Sequence, residues 1–205
     1  MTKFVAARSA GVALFLVTLF IAVPALISAS GRTDFYFTLT SVAILSIASA
    51  GVWLTFYIGR INIGQGAFAL IGAYVSAILV TKAGMSFWLS LPFAGLFAAL
   101  VAILIGLPIL RLRGVYFAMI TLVLTQVVTL TALALPITNG AKGITSIPLP
   151  GELSIFGLTL VPDFGSLDNS RLAFYYTACL LMVLTFAGMY RLVNSRLGHL
   201  CRSMQ

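Results

Sequence analysis

Residues 61–81 read INIGQGAFALIGAYVSAILVT. Whether this stretch crosses a membrane decides the topology of the whole chain. It contains no charged residue, yet its opening, INIGQGAFALIGAY (Ile61–Tyr74), carries Asn62, Gln65 and the glycines Gly64, Gly66 and Gly72. Two amides and a loose backbone at the entry to lipid need a physical account.

The surrounding composition leaves little room for a water-soluble body. Of 205 residues, 61% are hydrophobic and only 8% are charged, against roughly a quarter charged in soluble domains. Between successive charges run Ser9–Gly31, Phe35–Gly59, Ile61–Thr81, Ala83–Leu110, Gly114–Ala141 and Leu172–Tyr190. Each meets or exceeds the length of about 20 apolar residues that a spanning helix needs. Runs such as Leu14-Phe15-Leu16 and Leu122-Val123-Leu124 lack the period-2 alternation of a barrel strand. The expectation is therefore an all-α, polytopic membrane helix bundle. Its helices are placed near 10–28, 35–58, 61–81, 87–110, 115–135 and 172–192, in a single transmembrane domain over 1–205.

The net charge of +8 follows the positive-inside rule and does not form a nucleic-acid surface. With a cytoplasmic N-terminus and six crossings, eight basic residues fall inside: Lys3, Arg8, Arg60, Arg111, Arg113, Arg191, Arg196 and Arg202. Arg32, Lys82, Lys142 and Arg171 fall outside, together with all four acids, Asp34, Glu152, Asp163 and Asp168. If residues 61–81 turned back without crossing, the basic residues would divide six and six. The asymmetry favours a full crossing and puts both termini in the cytoplasm. A second reading exists at the N-terminus, where Lys3 and Arg8, an apolar run and Ser28-Ala29-Ser30 resemble a cleavable signal. The run from Ala10 to Ile27 is longer than a usual signal core, which favours a helix, and residue 31 is outside in both cases.

One connection is long. Residues 136–170 contain four prolines, five glycines and three of the four acids, and form the expected extracytoplasmic loop. Its LSIFGLTLVP segment is apolar enough to lie on the membrane surface or the bundle. Trp53, Tyr57, Trp88, Tyr116, Tyr175 and Tyr176 stand near helix ends, as interfacial aromatic belts do. Cys179 and Cys201 fall half a bilayer apart and read as unpaired thiols.

Several chemistries are excluded. The one histidine, His199, lies in the tail, no acid lies within a predicted helix, and there is no GxxxxGK[ST] phosphate loop. The chain is not expected to be an enzyme, to bind a cofactor or metal, or to relay protons through carboxylates. The polar candidates that remain lie in two helices. On a continuous helix Asn62, Gln65, Ala69, Gly72, Ala73 and Ser76 share one side. Ala69, Ala73 and Ala77 make a small-xxx-small face suited to close helix approach. Asn62 and Gln65 then either bond a neighbouring helix or line a polar pathway. In the next-but-one helix, Thr121, Thr125 and Thr129 recur every four residues beside Gln126. The threonines either bond back to their own helix or line a pathway. Gln126 needs a partner in lipid and is expected to face the bundle interior. RLRGVYF (Arg111–Phe117) reads as a tight cytoplasmic turn, and RLVNSRLGHLCRSMQ as a basic tail able to lie on anionic lipid or bind a cytoplasmic partner.

Taken in order, GRINIGQGAFALIGAY, SFWLSLPFAGLFAALVAILIGLPILRLRGVYFAMITL, TNGAKGITSIP and SRLGHLCR resemble the permease subunits of ATP-binding-cassette importers of the branched-chain amino acid type, over Gly59–Arg202. The resemblance is closest to the subtype paired with a sister permease. It implies a multi-pass subunit of the inner or plasma membrane that works with ATPase subunits, which bind the ATP, a sister permease and an extracytoplasmic solute-binding protein. It places Asn62 and Gln65 in a glycine-rich helix and Asn139, Gly140 and Gly143 in the outer loop. It makes Arg196, Gly198 and Arg202 the ATPase-coupling candidates, although the family's G-R-A-L-R stands here as Gly198-His199-Leu200-Cys201-Arg202. In the family further helices follow that segment, so the chain is expected to be a fragment or a truncated permease with an incomplete coupling surface. Two other readings are a non-transporting membrane assembly protein and a secondary transporter. The latter is disfavoured by the lack of intramembrane charge and of a visible repeat.

Overall fold

The computed structural model describes residues 18–30, 34–112, 114–151, 153–155, 158–161, 164, 170–196 and 198. The N-terminal signal-or-helix question falls largely outside these residues, as do Cys201, His199 and Arg202.

A turn of π-helix, Thr18–Ala22, leads into α1, Val23–Ser30. There follow α2, Asp34–Tyr57, α3, Gln65–Thr81, α4, Phe87–Ile109, and α5, Val115–Ala134. Two 3-10 turns, Pro136–Thr138 and Gly140–Lys142, come next. An antiparallel ribbon of β1, Leu153–Ile155, and β2, Leu158–Val161, precedes α6, Ser170–Val193. The fold is an all-α membrane bundle carrying this one ribbon in its long loop. α2, α4, α5 and α6 are long and apolar enough to cross a membrane, whereas α3 has 17 residues. Large apolar side chains such as Phe37, Leu96, Leu104, Val115 and Leu184 are more than half exposed, which suits a surface solvated by lipid.

The chain divides into two compact units, with the division on α2 between Ile47 and Ala48. The first contains α1, the start of α2 and α6 as far as Tyr190. Its core gathers Ile27, Tyr36, Ala43, Tyr175, Ala178, Cys179 and Met182. Pro24 explains part of the arrangement. Lacking an N–H, it leaves the carbonyl four residues earlier without its helical donor, and the Tyr176 hydroxyl donates to that Phe20 carbonyl at 3.3 Å. The Tyr175 hydroxyl donates to Leu19 O at 2.7 Å and Tyr36 donates to Pro24 O at 3.2 Å. Tyr175 is 1% exposed, so it is a core residue and not a belt residue. At the rim Arg171 pairs with Asp34 at 2.5 Å, where Asp34 also suits the positive N-terminal end of α2. Both side chains are largely exposed, so the pair adds little.

The second unit holds α2 from Ala48, α3, α4, α5 and the long loop. α3 packs on α4 and α5. Ala67 is fully buried, and Ser76 and the fully buried Ser90 share a 2.9 Å hydrogen bond between α3 and α4. At one end of α3, Lys82 donates to Ile137 O, just beyond α5, at 2.8 Å. At the other, Arg60 reaches the Leu110 and Leu112 carbonyls just beyond α4. α3 therefore runs the length of its neighbours, parallel to α5 and antiparallel to α4. Beyond α5, Asn139 (φ 60°) and Gly140 (φ 57°) are both left-handed. They fold the TNGAKGI segment back so tightly that a side chain at Gly140 would meet Leu133 O at 3.0 Å. Farther along, Trp88 Nε1 donates to Gly151 O at 2.9 Å and packs edge-on against the buried Phe164. Trp88 thus anchors the loop, and the apolar LSIFGLTLVP segment supplies β1 and β2.

Candidate functional site

Of the two opening amides of residues 61–81, Asn62 does not lie on a helix. α3 starts at Gln65, and Ile61–Gly64 is a non-helical lead-in. Asn62 Oδ1 accepts from Gly64 N at 2.8 Å, an asparagine turn that offers the backbone an alternative to the helix. This corrects the expectation that Asn62 shares a helical face with Gln65. The cause is local: Asn-x-Gly closes on itself before the helix can begin.

A lead-in inside lipid must satisfy its peptide groups elsewhere, and α5 provides the partners. Thr121, buried, accepts from Ile63 N at 3.2 Å through Oγ1 while donating to Ala118 O at 2.9 Å. Thr125 Oγ1 donates to Thr121 O at 3.2 Å and lies 3.5 Å from Ile63 O. Thr129 only bonds back to Thr125 O, at 2.8 Å. Of the three threonines, two hold the lead-in and one serves its own helix. The glycines make the approach possible. A Cβ on Gly64 would stand 3.2 Å from Thr121 O, and one on Gly66 would stand 3.4 Å from Thr125 Cγ2.

Gln65, the first residue of α3, packs against α2. Its amide lies 3.1–3.2 Å from where a Cβ on Gly51 would be, so Gly51 makes the space that Gln65 fills. Among the described residues the expected small-residue face is used only in part: Ser76 on it bonds Ser90 of α4 and Ala77 is half-buried. Ala69 and Ala73 are exposed, and a side chain on Gly72 would meet nothing within 4 Å. The buried small residue is Ala67, two positions earlier. Gln126 is exposed on α5 and does not face the interior of this unit, which corrects the expectation placed on it.

Sequence reasoning missed Arg60, read only as a topology signal. Its Nη1 donates to Leu110 O at 2.9 Å and Leu112 O at 3.1 Å, neutralising the negative C-terminal end of α4. Its guanidinium also sits 5.3 Å over the Phe117 ring of α5, within cation–π range. One side chain thus joins the α2–α3 connection to α4 and α5. Arg60 and Asn62 border a cavity of about 290 Å³ whose walls include Ile58, Ile105, Phe117 and Thr121. Of the coupling candidates, Arg196 is exposed, and Gly198 lies so close to Val193 O that a side chain there would collide. Arg202 lies outside the described residues.

The clamp has a direct test. Thr121→Val keeps the shape but removes the hydroxyl, leaving Ile63 N–H without its partner. It is expected to lower stability by about 1 kcal/mol in mixed-micelle unfolding, while Thr129→Val changes it by no more than a few tenths.

Comparison with known proteins agrees with this architecture. The family model described as branched-chain amino acid transport system / permease component matches residues 35–205. The high-affinity branched-chain amino acid transport system permease protein LivM of Escherichia coli (strain K12) is 40% identical over 156 residues, covering 68% of this chain and 36% of the relative. The LivM of Salmonella typhimurium (strain LT2) is 39% identical over the same length. The chain therefore spans about a third of these relatives (36%). No solved structure matches. The matched family is one of transport permeases and not of enzymes, and with 35–205 matched end to end, this chain belongs to it.

Proposed function

We propose that this chain forms part of the translocation pathway of an ATP-binding-cassette importer for branched-chain amino acids or related small amino acids and amides. Separate ATPase subunits drive it, a sister permease completes the pathway, and an extracytoplasmic binding protein delivers the solute. The membrane is the inner or plasma membrane. α3 crosses it from inside to outside, with both ends of the chain cytoplasmic. The observation that carries this reading is family membership across residues 35–205. Further support comes from α3, whose broken start gathers the polar groups of Asn62, Thr121 and Thr125 around non-helical backbone, with Gln65 opening the helix beside them. Such interrupted helices suit a solute pathway, because irregular backbone survives at membrane depth only where protein or a water-filled cavity meets it. Gln126 belongs to the same pathway or to the sister-subunit contact, and Arg196, Gly198 and Arg202 face the ATPase.

The test is reconstitution of this permease with its ATPases, sister subunit and binding protein in proteoliposomes. Leucine uptake should depend on ATP and on every component. Uptake or ATPase activity unchanged when this subunit is omitted would sink the proposal.

A further inference from the structure

We propose that the Arg60 cavity is a binding site for an anionic phospholipid, with the phosphate on Arg60 and the first part of an acyl chain in the cavity. This stands independently of the transport reading.

Charge is the first ground. Arg60 spends one nitrogen, Nη1, on the Leu110 and Leu112 carbonyls. Those bonds and the Phe117 ring fix the guanidinium in place and leave Nε and Nη2 to donate elsewhere. Among the described residues the one ion pair is Asp34 with Arg171, and no described carboxylate pairs with Arg60. Arg111, between the two carbonyls that hold Arg60, is also exposed. Every acid in the sequence falls on the opposite side in the charge count. On that count an anion from the surrounding membrane is the counter-charge proposed for Arg60.

The walls supply the second ground. Beyond Arg60, Asn62 and the threonines Thr55 and Thr121 the lining is apolar, with Ile58, Ile105, Ile109 and Leu124, which favours an aliphatic chain over a hydrated ion. Position supplies the third. Trp53 and Tyr57 stack at 5.4 Å on the last turns of α2, beside the cavity residues Thr55 and Ile58. Such an aromatic pair marks the headgroup level of a bilayer. A cation at the headgroup level with an apolar cleft between helices behind it is the chemistry that holds anionic lipid.

The experiment uses the full chain, delipidated in detergent and then supplied with phosphatidylglycerol or phosphatidylcholine, with retained lipid read by native mass spectrometry. The unchanged protein should retain phosphatidylglycerol in preference to phosphatidylcholine. Arg60→Gln should cut that preference roughly fivefold, the effect of one basic residue at a lipid surface. Gly106→Phe fills the cavity without touching charge. Gly106 lines the cavity, and an added Cβ meets nothing within 4 Å. This variant should lose retention of both lipids, and Ala102→Leu provides the same test if Gly106→Phe does not remain monodisperse. Excess glycerol phosphate should fail to displace the lipid. The proposal is overturned if Arg60→Gln keeps the full preference, if the filled cavity retains lipid as before, or if glycerol phosphate or leucine displaces it.

Discussion

Replacing Gly64 with leucine is expected to destabilise the second unit by about 3 kcal/mol, the upper part of the range for forcing a side chain into a packed site. A Cβ at this buried position would stand 3.1 Å from Asn62 Oδ1, 3.2 Å from Thr121 O and 3.3 Å from Thr121 Cβ. Two of these neighbours belong to α5, so the strain is relieved only by pushing the lead-in away from the helix that satisfies it. The Thr121–Ile63 hydrogen bond is then lost together with the packing. Gly72→Leu is the control. It lies within the helix that Gly64 caps, but an added Cβ there meets nothing within 4 Å, and exchanging an unobstructed helical glycine for leucine slightly favours the helix. In mixed-micelle unfolding of the isolated chain the first variant should lose most of its transition midpoint and the second almost none. Equal effects would mean that the lead-in does not depend on its seat against α5.

Tyr175→Ala should cost the first unit 3–5 kcal/mol, as removal of a buried aromatic ring does. The ring is 1% exposed, sits 5.9 Å from Tyr36 and carries the hydroxyl that serves Leu19 O. The substitution removes packing and a hydrogen bond together. Tyr175→Phe keeps the ring and loses only the bond, so about 1 kcal/mol is expected. Hydrogen exchange separates the two losses. In the alanine variant the amides of α1 should exchange as though the helix had come away from α6, whereas in the phenylalanine variant they should stay protected. Protection unchanged in both would show that α1 is held by contacts other than Tyr175.

Where the sequence was read correctly, the physics is local and one-dimensional. Absence of charge over about 20 residues follows from the hydrocarbon thickness, so the all-α bundle was legible from composition and spacing. Where it was read wrongly, either a local turn at Asn62 or a partner far along the chain decided the outcome. The charge-free stretch begins at Ile61, but absence of charge says nothing about where hydrogen bonding starts, and Gln65 is the true first residue of α3. Asn62-x-Gly64 was a readable turn signal. That Thr121 would satisfy Ile63 was not readable, because a threonine's bond to its own helix and a bond to a neighbour look identical in sequence. The small-residue face was legible only in part: Gln65 and Ser76 on it meet α2 and α4, Ala69 and Ala73 on it are exposed, and Ala67, off it, is fully buried. Arg60 served the charge count so well that its second role, gathering the ends of three helices, went unread.

On the proposed reading in which α3 crosses the membrane, the lead-in also supplies reach. Seventeen helical residues cover only about 25 Å at 1.5 Å per residue, short of a hydrocarbon core about 30 Å thick. α5, with 20 residues, covers that thickness. Non-helical backbone advances farther per residue than a helix, up to about 3.3 Å. The four residues Ile61–Gly64 therefore have ample reach for the deficit of about 5 Å, at up to about 3.3 Å each. Arg60 and Lys82, fastened beyond the two ends of α5, fix α3 at that extended span.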